Sequence, residues 1–219
     1  MKHFFPPREP FNTYSHLAGG IVALVWLVLM MSKTADNPIG HKISFLIYGI
    51  SVVLMFMSSA IYHTLNVGER NKLLFQQIDH IMIYIIIAGS YTPICAVALD
   101  GGWRIGMLVG IWVFAIVGII QKLYWMGAPR WFSTAIYLLM GWIAVLIFPL
   151  LWDVLPRSFL LWIALGGIFY TIGAVIYGIK KPNPFPDTFG SHEIWHLFVI
   201  GGAFSHFWAI YYYLPDFKF

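Results

Sequence analysis

The run SHEIWH, residues 191–196, places two imidazoles at i and i+4, His192 and His196, so any helix that carries them presents both on one face. The run SSAIYH does the same for a hydroxyl and an imidazole, Ser59 and His63. Two histidines one turn apart, with a third from a neighbouring helix, make a tridentate zinc shell whose fourth position stays open to water. A carboxylate beside such a shell accepts a hydrogen bond from that water or orients a ligand ring, and Asp79 supplies one. The chemistry is that of a hydrolytic or structural zinc centre: His63, His192 and His196 as ligands, Asp79 as base or orienting carboxylate, Ser59 as a hydroxyl one turn deeper.

These residues stand in apolar surroundings. Of 219 residues 60% are hydrophobic and 10% charged, and the mean hydropathy is +0.77. A soluble domain of this length carries about 25% charged residues. The composition therefore specifies a polytopic membrane protein of all-α class. Windows of roughly 20 apolar residues mark seven spans, near 14–31, 43–65, 77–99, 105–121, 131–151, 158–179 and 192–214. Short connectors join them, none long enough for a second domain, so residues 1–219 read as one seven-transmembrane domain. The N-terminus lacks the apolar centre of a signal peptide, and no cleavage is expected. The single cysteine, Cys95, excludes an intramolecular disulfide framework. The net charge of +4 reads as loop charge near anionic headgroups, with membrane lipids as partners and no nucleic acid.

The short loops give an orientation. The N-terminal side collects Lys2, Arg8, Arg70, Lys72, Lys122, Arg130, Lys180 and Lys181, against Lys33, Lys42, Arg104, Arg157 and Lys218 on the other side. Eight against five predicts a cytoplasmic N-terminus. On that topology His16, His63, Asp79, His192 and His196 fall in one layer, within about two turns of one membrane face. Inside the seven windows only Asp79 and Glu193 are acidic and no Lys or Arg occurs. Intramembrane ionisable groups are costly to desolvate, so such a layer points to function.

Plainer readings apply to the remaining polar residues. His16 and His80 read as interfacial histidines with satisfied hydrogen bonds. Glu193, about 100° round the helix from His192, is expected to face headgroups or a loop. His206 lies about 21 Å deeper than His192 by helix rise, too deep for the same shell, and reads as structural. The pairs Gly19–Gly20, Gly166–Gly167 and Gly201–Gly202 read as small faces for close helix packing.

The pieces EPFNTYSHLAGG, SSAIYHTL, QQIDHIMIYIIIAGSYTP and SHEIWHLFVIGGAFSHF, in this order along nearly the whole chain, resemble the bacterial hemolysin III proteins, which belong with the progestin and adipoQ receptors. The resemblance implies a seven-helix bundle with its N-terminus inside, in the bacterial cytoplasmic membrane. It also implies a zinc near the cytoplasmic face held by His63, His192 and His196, with Asp79 contacting the water on that zinc. The wider superfamily includes alkaline ceramidases, which are membrane amide hydrolases.

Three functions follow as expectations. One is a zinc-dependent hydrolase acting on a lipid amide or ester, with Asp79 as general base and Ser59 positioning water or substrate. A second is a non-catalytic membrane sensor or homeostasis factor, whose structural zinc ties helices two and seven together. A third, a pore, is disfavoured because spans four, five and six contain no Asp, Glu, Lys, Arg or His. A retinal protein is excluded because span seven has no lysine.

Overall fold

The computed structural model describes residues 7–186 and 188–217. Lys2 and Lys218 of the charge count lie outside the described residues. Among the described residues eight α-helices follow in order: α1 (Pro10–Lys33), α2 (Ile39–Thr64), α3 (Glu69–Ala98), α4 (Gly101–Tyr124), α5 (Arg130–Trp142), α6 (Phe148–Val154), α7 (Arg157–Ile179) and α8 (Ser191–Tyr213). The punctuation is largely proline. Pro38, Pro129 and Pro156 precede α2, α5 and α7 in extended backbone, and Pro10 opens α1, where its missing N–H and fixed φ cost nothing. Helix α7 stops at Lys180, which adopts the left-handed conformation at φ 58°.

Six of these helices are long and apolar enough to cross a membrane, and the bent pair α5–α6 makes a seventh if taken as one span. Their surfaces sort by helical period. On α7 the exposed side chains Leu161, Leu165, Ile168, Ile172, Val175 and Ile179 recur every three or four residues, a stripe for lipid contact. On α4 the opposite stripe, Met107, Ile111, Ala115, Gly118 and Lys122, is buried against the bundle. Lys122 therefore corrects the sequence reading, which assigned it to a solvated loop: it sits in the last turn of α4, only 2% exposed.

The helices pack mainly on their neighbours in the chain, with α1 also against α8, and α5 against α7 and α3. The core is built from large side chains such as Phe45, Tyr48, Phe56, Tyr84 and Phe159. Several expected small-residue contacts are present, but aromatic and sulfur groups fill them. Gly19 is covered by Phe56, Gly20 by Met57 and Gly202 by the Tyr170 ring, whereas Gly167 faces open space.

Span five is not the continuous helix expected over 131–151. It breaks into α5, a 3-10 turn at Ile143–Leu146, and α6, with a bend of 48°. Pro149 stands at the start of α6, where a proline's missing N–H leaves no helical bond unmade. In hydrocarbon the freed backbone groups need other partners, and Tyr91 of α3 provides them. Its hydroxyl donates to the Gly141 carbonyl at 2.6 Å and accepts the Ala144 N–H at 2.7 Å.

Candidate metal centre

The last turn of α2 and the first turns of α8 meet at the N-terminal side of the bundle. The helix C-terminus that carries His63 is strapped by the segment ahead of α1: the Glu9 N–H donates to the His63 carbonyl at 3.1 Å and the Arg8 N–H to the Thr64 carbonyl at 3.4 Å. The start of α8 is fixed by two side chains. Glu193 accepts the Gly190 N–H at 2.8 Å, and Asn183 Oδ1 accepts the Ser191 N–H at 2.9 Å, which satisfies donors that a helix start leaves open.

So held, His63, His192 and His196 converge. Their ring centroids form a nearly equilateral triangle with sides of 5.1, 4.9 and 4.9 Å. One nitrogen from each lies within 4.8 Å of the other two. The Nε2 atoms of His63 and His192 face each other at 3.4 Å, long for an N–H···N hydrogen bond and suited to two lone pairs that share a cation. His196 Nδ1 is buried with no hydrogen-bond partner among the described residues. The three histidines named from spacing are thus brought together in an arrangement that can hold a metal ion.

A carboxylate network surrounds the triangle. Glu9 Oε2 accepts the Nδ1–H of His63 at 2.6 Å. An ionised carboxylate only accepts, so this bond puts the ring hydrogen on Nδ1 and leaves Nε2 a lone pair in the neutral imidazole. Arg8 Nε donates to Glu9 Oε1 at 3.0 Å, and Asn12 Nδ2 donates to Glu9 at 3.2 Å and to Glu193 Oε1 at 2.8 Å. Burial alone would raise the Glu9 carboxyl, but the hydrogen bond from His63, with Asn12 and Arg8, outweighs it and holds it down at about 2. Glu9 and Asn12 stand in the EPFN motif, and spacing alone gives them no role. The available signal was their position just ahead of a span that carries His16.

Glu193 turns toward the loop ahead of α8, one of the two places expected for it, where it accepts the Gly190 N–H and caps its own helix; it also bridges to α1 through Asn12, which spacing does not show. His16 also differs from expectation. It is buried, its ring stacks on His196 at 3.6 Å between centroids, and neither ring nitrogen has a hydrogen-bond partner among the described residues. It lies outside the ligand triangle. His206 is structural in its contacts, bonded to the Ile163 carbonyl at 3.2 Å and packed on Gly166. His80 lies on α3 with its Nδ1 buried and unpartnered among the described residues.

Asp79 of α3 and Ser59 of α2 stand on two helices that pack against each other. Both line a cavity of about 480 Å³ that also touches His192 and His196 and runs past Tyr170 and His206 to Leu160. Its walls are mainly apolar, the usual character of a small-molecule site.

A bundle of membrane-crossing helices with a triple-histidine cluster at one end defines a multi-pass integral membrane protein with a candidate metal centre. Residues 4–207 match the sequence model described as Haemolysin-III related, and the chain belongs to that family. It is 36% identical over 216 residues to Hemolysin-3 of Bacillus cereus, covering 96% of this chain and 94% of the relative. It is 33% identical over 207 residues to a Hemolysin-3 homolog of Bacillus subtilis (strain 168), covering 94% of each. The human Monocyte to macrophage differentiation factor is 28% identical over 207 residues, covering 93% of this chain and 83% of the relative.

Proposed function

We propose that this protein is a zinc-dependent hydrolase of the bacterial cytoplasmic membrane, acting near the cytoplasmic face on an amide or ester of a membrane lipid. The observation that carries the reading is the histidine triangle, with an adjacent carboxylate and hydroxyl, opening on an apolar cavity within the bundle. Nitrogens held at about 2.0–2.1 Å from a tetrahedral zinc lie about 3.4 Å apart, and the His63–His192 pair stands at 3.4 Å. Zinc bound there supplies a Lewis acid that polarises a carbonyl and lowers the pKa of a bound water to about 7.

The chain's own groups supply the rest. The cavity walls seat an acyl chain and exclude bulk water. Asp79 accepts the proton as water adds to the carbonyl carbon, and returns it to the amine or alcohol as the C–N or C–O bond breaks. Ser59 orients Asp79 or donates to a substrate oxygen. Glu9 fixes the tautomer and direction of His63.

A second reading is favoured by one observation: α2 and α8 both pack on α1, and the histidines are where the two meet. A structural zinc there would pin them together for a sensor or homeostasis role. Zinc content of the detergent-purified protein, wild type beside His196→Ala, tests both readings. About one zinc per chain, lost in the variant, is expected; no zinc in folded wild type overturns both. Lipid-amide hydrolysis then separates them. Asp79→Asn that retains zinc and loses at least about 100-fold in turnover supports the hydrolase, and Asp79→Asn with unchanged biological activity supports the structural role.

A further inference from the structure

A second polar cluster on the same cavity has no part in the chemistry above. Lys122 Nζ donates to the Ser133 hydroxyl at 2.6 Å, and the side chain is buried. An ammonium has three donors, and no carboxylate lies within ion-pair distance of Lys122 among the described residues. Its terminal nitrogen is tied to the first turn of α5 through Ser133. Arg130, at the exposed start of α5, lies over the Tyr177 ring at 5.2 Å and also lacks an ion pair among the described residues. His80 of α3 meets the same helix one turn past Ser133, its carbonyl accepting the Tyr137 hydroxyl at 3.4 Å, and its ring Nδ1 is buried and unpartnered among the described residues. All three side chains, with Ser133 and Gln76, line the cavity.

A desolvated cation without a counter-charge is unfavourable, and more so in a membrane protein. Here a buried cation, a second at the exposed start of α5 and an imidazole line one largely apolar cavity, and the groups that contact the two cations, the Ser133 hydroxyl and the Tyr177 ring, are neutral. Such a set of donors matches the oxygens of a phosphate or carboxylate. The apolar walls beyond it, including Ile83, Leu138 and Ile163, match a hydrocarbon chain. We propose that Lys122, Arg130 and His80 form an anion-binding subsite that holds the phosphate or carboxylate end of an amphipathic ligand whose chain occupies the cavity. The subsite shares the cavity with the proposed hydrolase and does not depend on hydrolysis.

The test is binding to the purified full-length protein in neutral detergent, measured by microscale thermophoresis. Dioctanoyl phosphatidic acid and dodecanoic acid are the anionic probes, dioctanoylglycerol the neutral one, and inorganic phosphate the free anion. At least one anionic probe is expected to bind about tenfold more tightly than dioctanoylglycerol, with Lys122→Met and Arg130→Gln each removing most of that difference. Dioctanoylglycerol binding and zinc content should be unchanged in both variants. Because Lys122 is buried, Arg130→Gln at the rim keeps the test valid if Lys122→Met misfolds. Anionic-probe binding that is unchanged in folded, zinc-retaining variants overturns the subsite. Inorganic phosphate binding as tightly as phosphatidic acid overturns the amphipathic ligand. Anionic-probe binding retained in His196→Ala supports the subsite even where the hydrolase reading fails.

Discussion

Glu9 accepts the Nδ1–H of His63 at 2.6 Å, and through this contact the segment ahead of α1 sets the ring that closes the histidine triangle. The same carboxylate is held by Arg8 and Asn12, and Asn12 reaches on to Glu193 of α8. One small network thus ties α1, α2 and α8 together around the candidate metal site. Carboxylates that orient metal-bound histidines contribute about 10–100-fold to metal affinity. Glu9→Gln, which keeps the shape and removes the charge, is expected to weaken zinc binding by that factor with little loss of thermal stability. Chelator competition on the purified variant measures it. Unaltered zinc affinity would show that His63 is oriented without Glu9.

His16 poses a different question, because it stacks on a metal-site histidine yet lies outside the triangle. Its two ring nitrogens are buried without partners among the described residues. A buried polar group left unpaired costs about 1–3 kcal/mol, so a ring of similar size without nitrogens should be tolerated. His16→Phe is expected to keep one zinc per chain and to unfold at the same temperature or higher. Loss of zinc in that variant, read by elemental mass spectrometry, would make His16 a ligand and enlarge the site.

Much of this was legible in the sequence, for physical reasons that also explain what was not. His192 and His196 are one turn apart, so helical geometry alone puts them on one face, and the odd-even order of spans brings His63 to the same end. The break in span five is hard to read because the apolar window 131–151 carries no charge and its one proline, Pro149, lies near the end, past the 3-10 turn, while the Tyr91 hydroxyl that bonds the backbone at the break comes from another helix. Lys122 was misplaced because a window for span four that ends at residue 121 cuts off the last turn of α4. Its spacing from Ala115 and Gly118 nevertheless puts it on the buried stripe. Glu9 and Asn12 precede or open a span, and nothing local shows which distant side chain they bind.

The α7–α8 seam gives a packing prediction. A Cβ placed on Gly202 would meet the Tyr170 ring at 2.7–2.8 Å, inside ordinary contact distance. Overpacking of this kind costs typically about 1–3 kcal/mol. Gly202→Ala should therefore lower the unfolding temperature in detergent micelles, by about 2–4 °C per kcal/mol for a chain of this size. Adding Tyr170→Leu should restore part of the loss. A double variant no better than Gly202→Ala would place the cost in the backbone of α8 and not in the ring contact.

The Tyr91 hydroxyl meets three backbone groups at the break between α5 and α6, donating to the Gly141 carbonyl and, at longer range, the Met140 carbonyl, and accepting from the Ala144 N–H. The bend lies between residues that line the cavity, Gly141, Trp142, Ala144 and Val145, so its geometry sets part of the cavity wall. Tyr91→Phe removes one oxygen and no ring volume. It leaves the Ala144 N–H and the Gly141 carbonyl in an apolar setting, at about 1–3 kcal/mol for each buried group left unpaired. The expected result is a lower unfolding temperature together with faster amide hydrogen exchange confined to residues 141–147, while zinc content stays at the wild-type value. Two outcomes would refute the assignment. Exchange that accelerates over the whole bundle would make Tyr91 a general core residue. Unchanged exchange at Ala144 would mean that the broken span holds its shape through its own turn and proline, without the cross-helix hydroxyl.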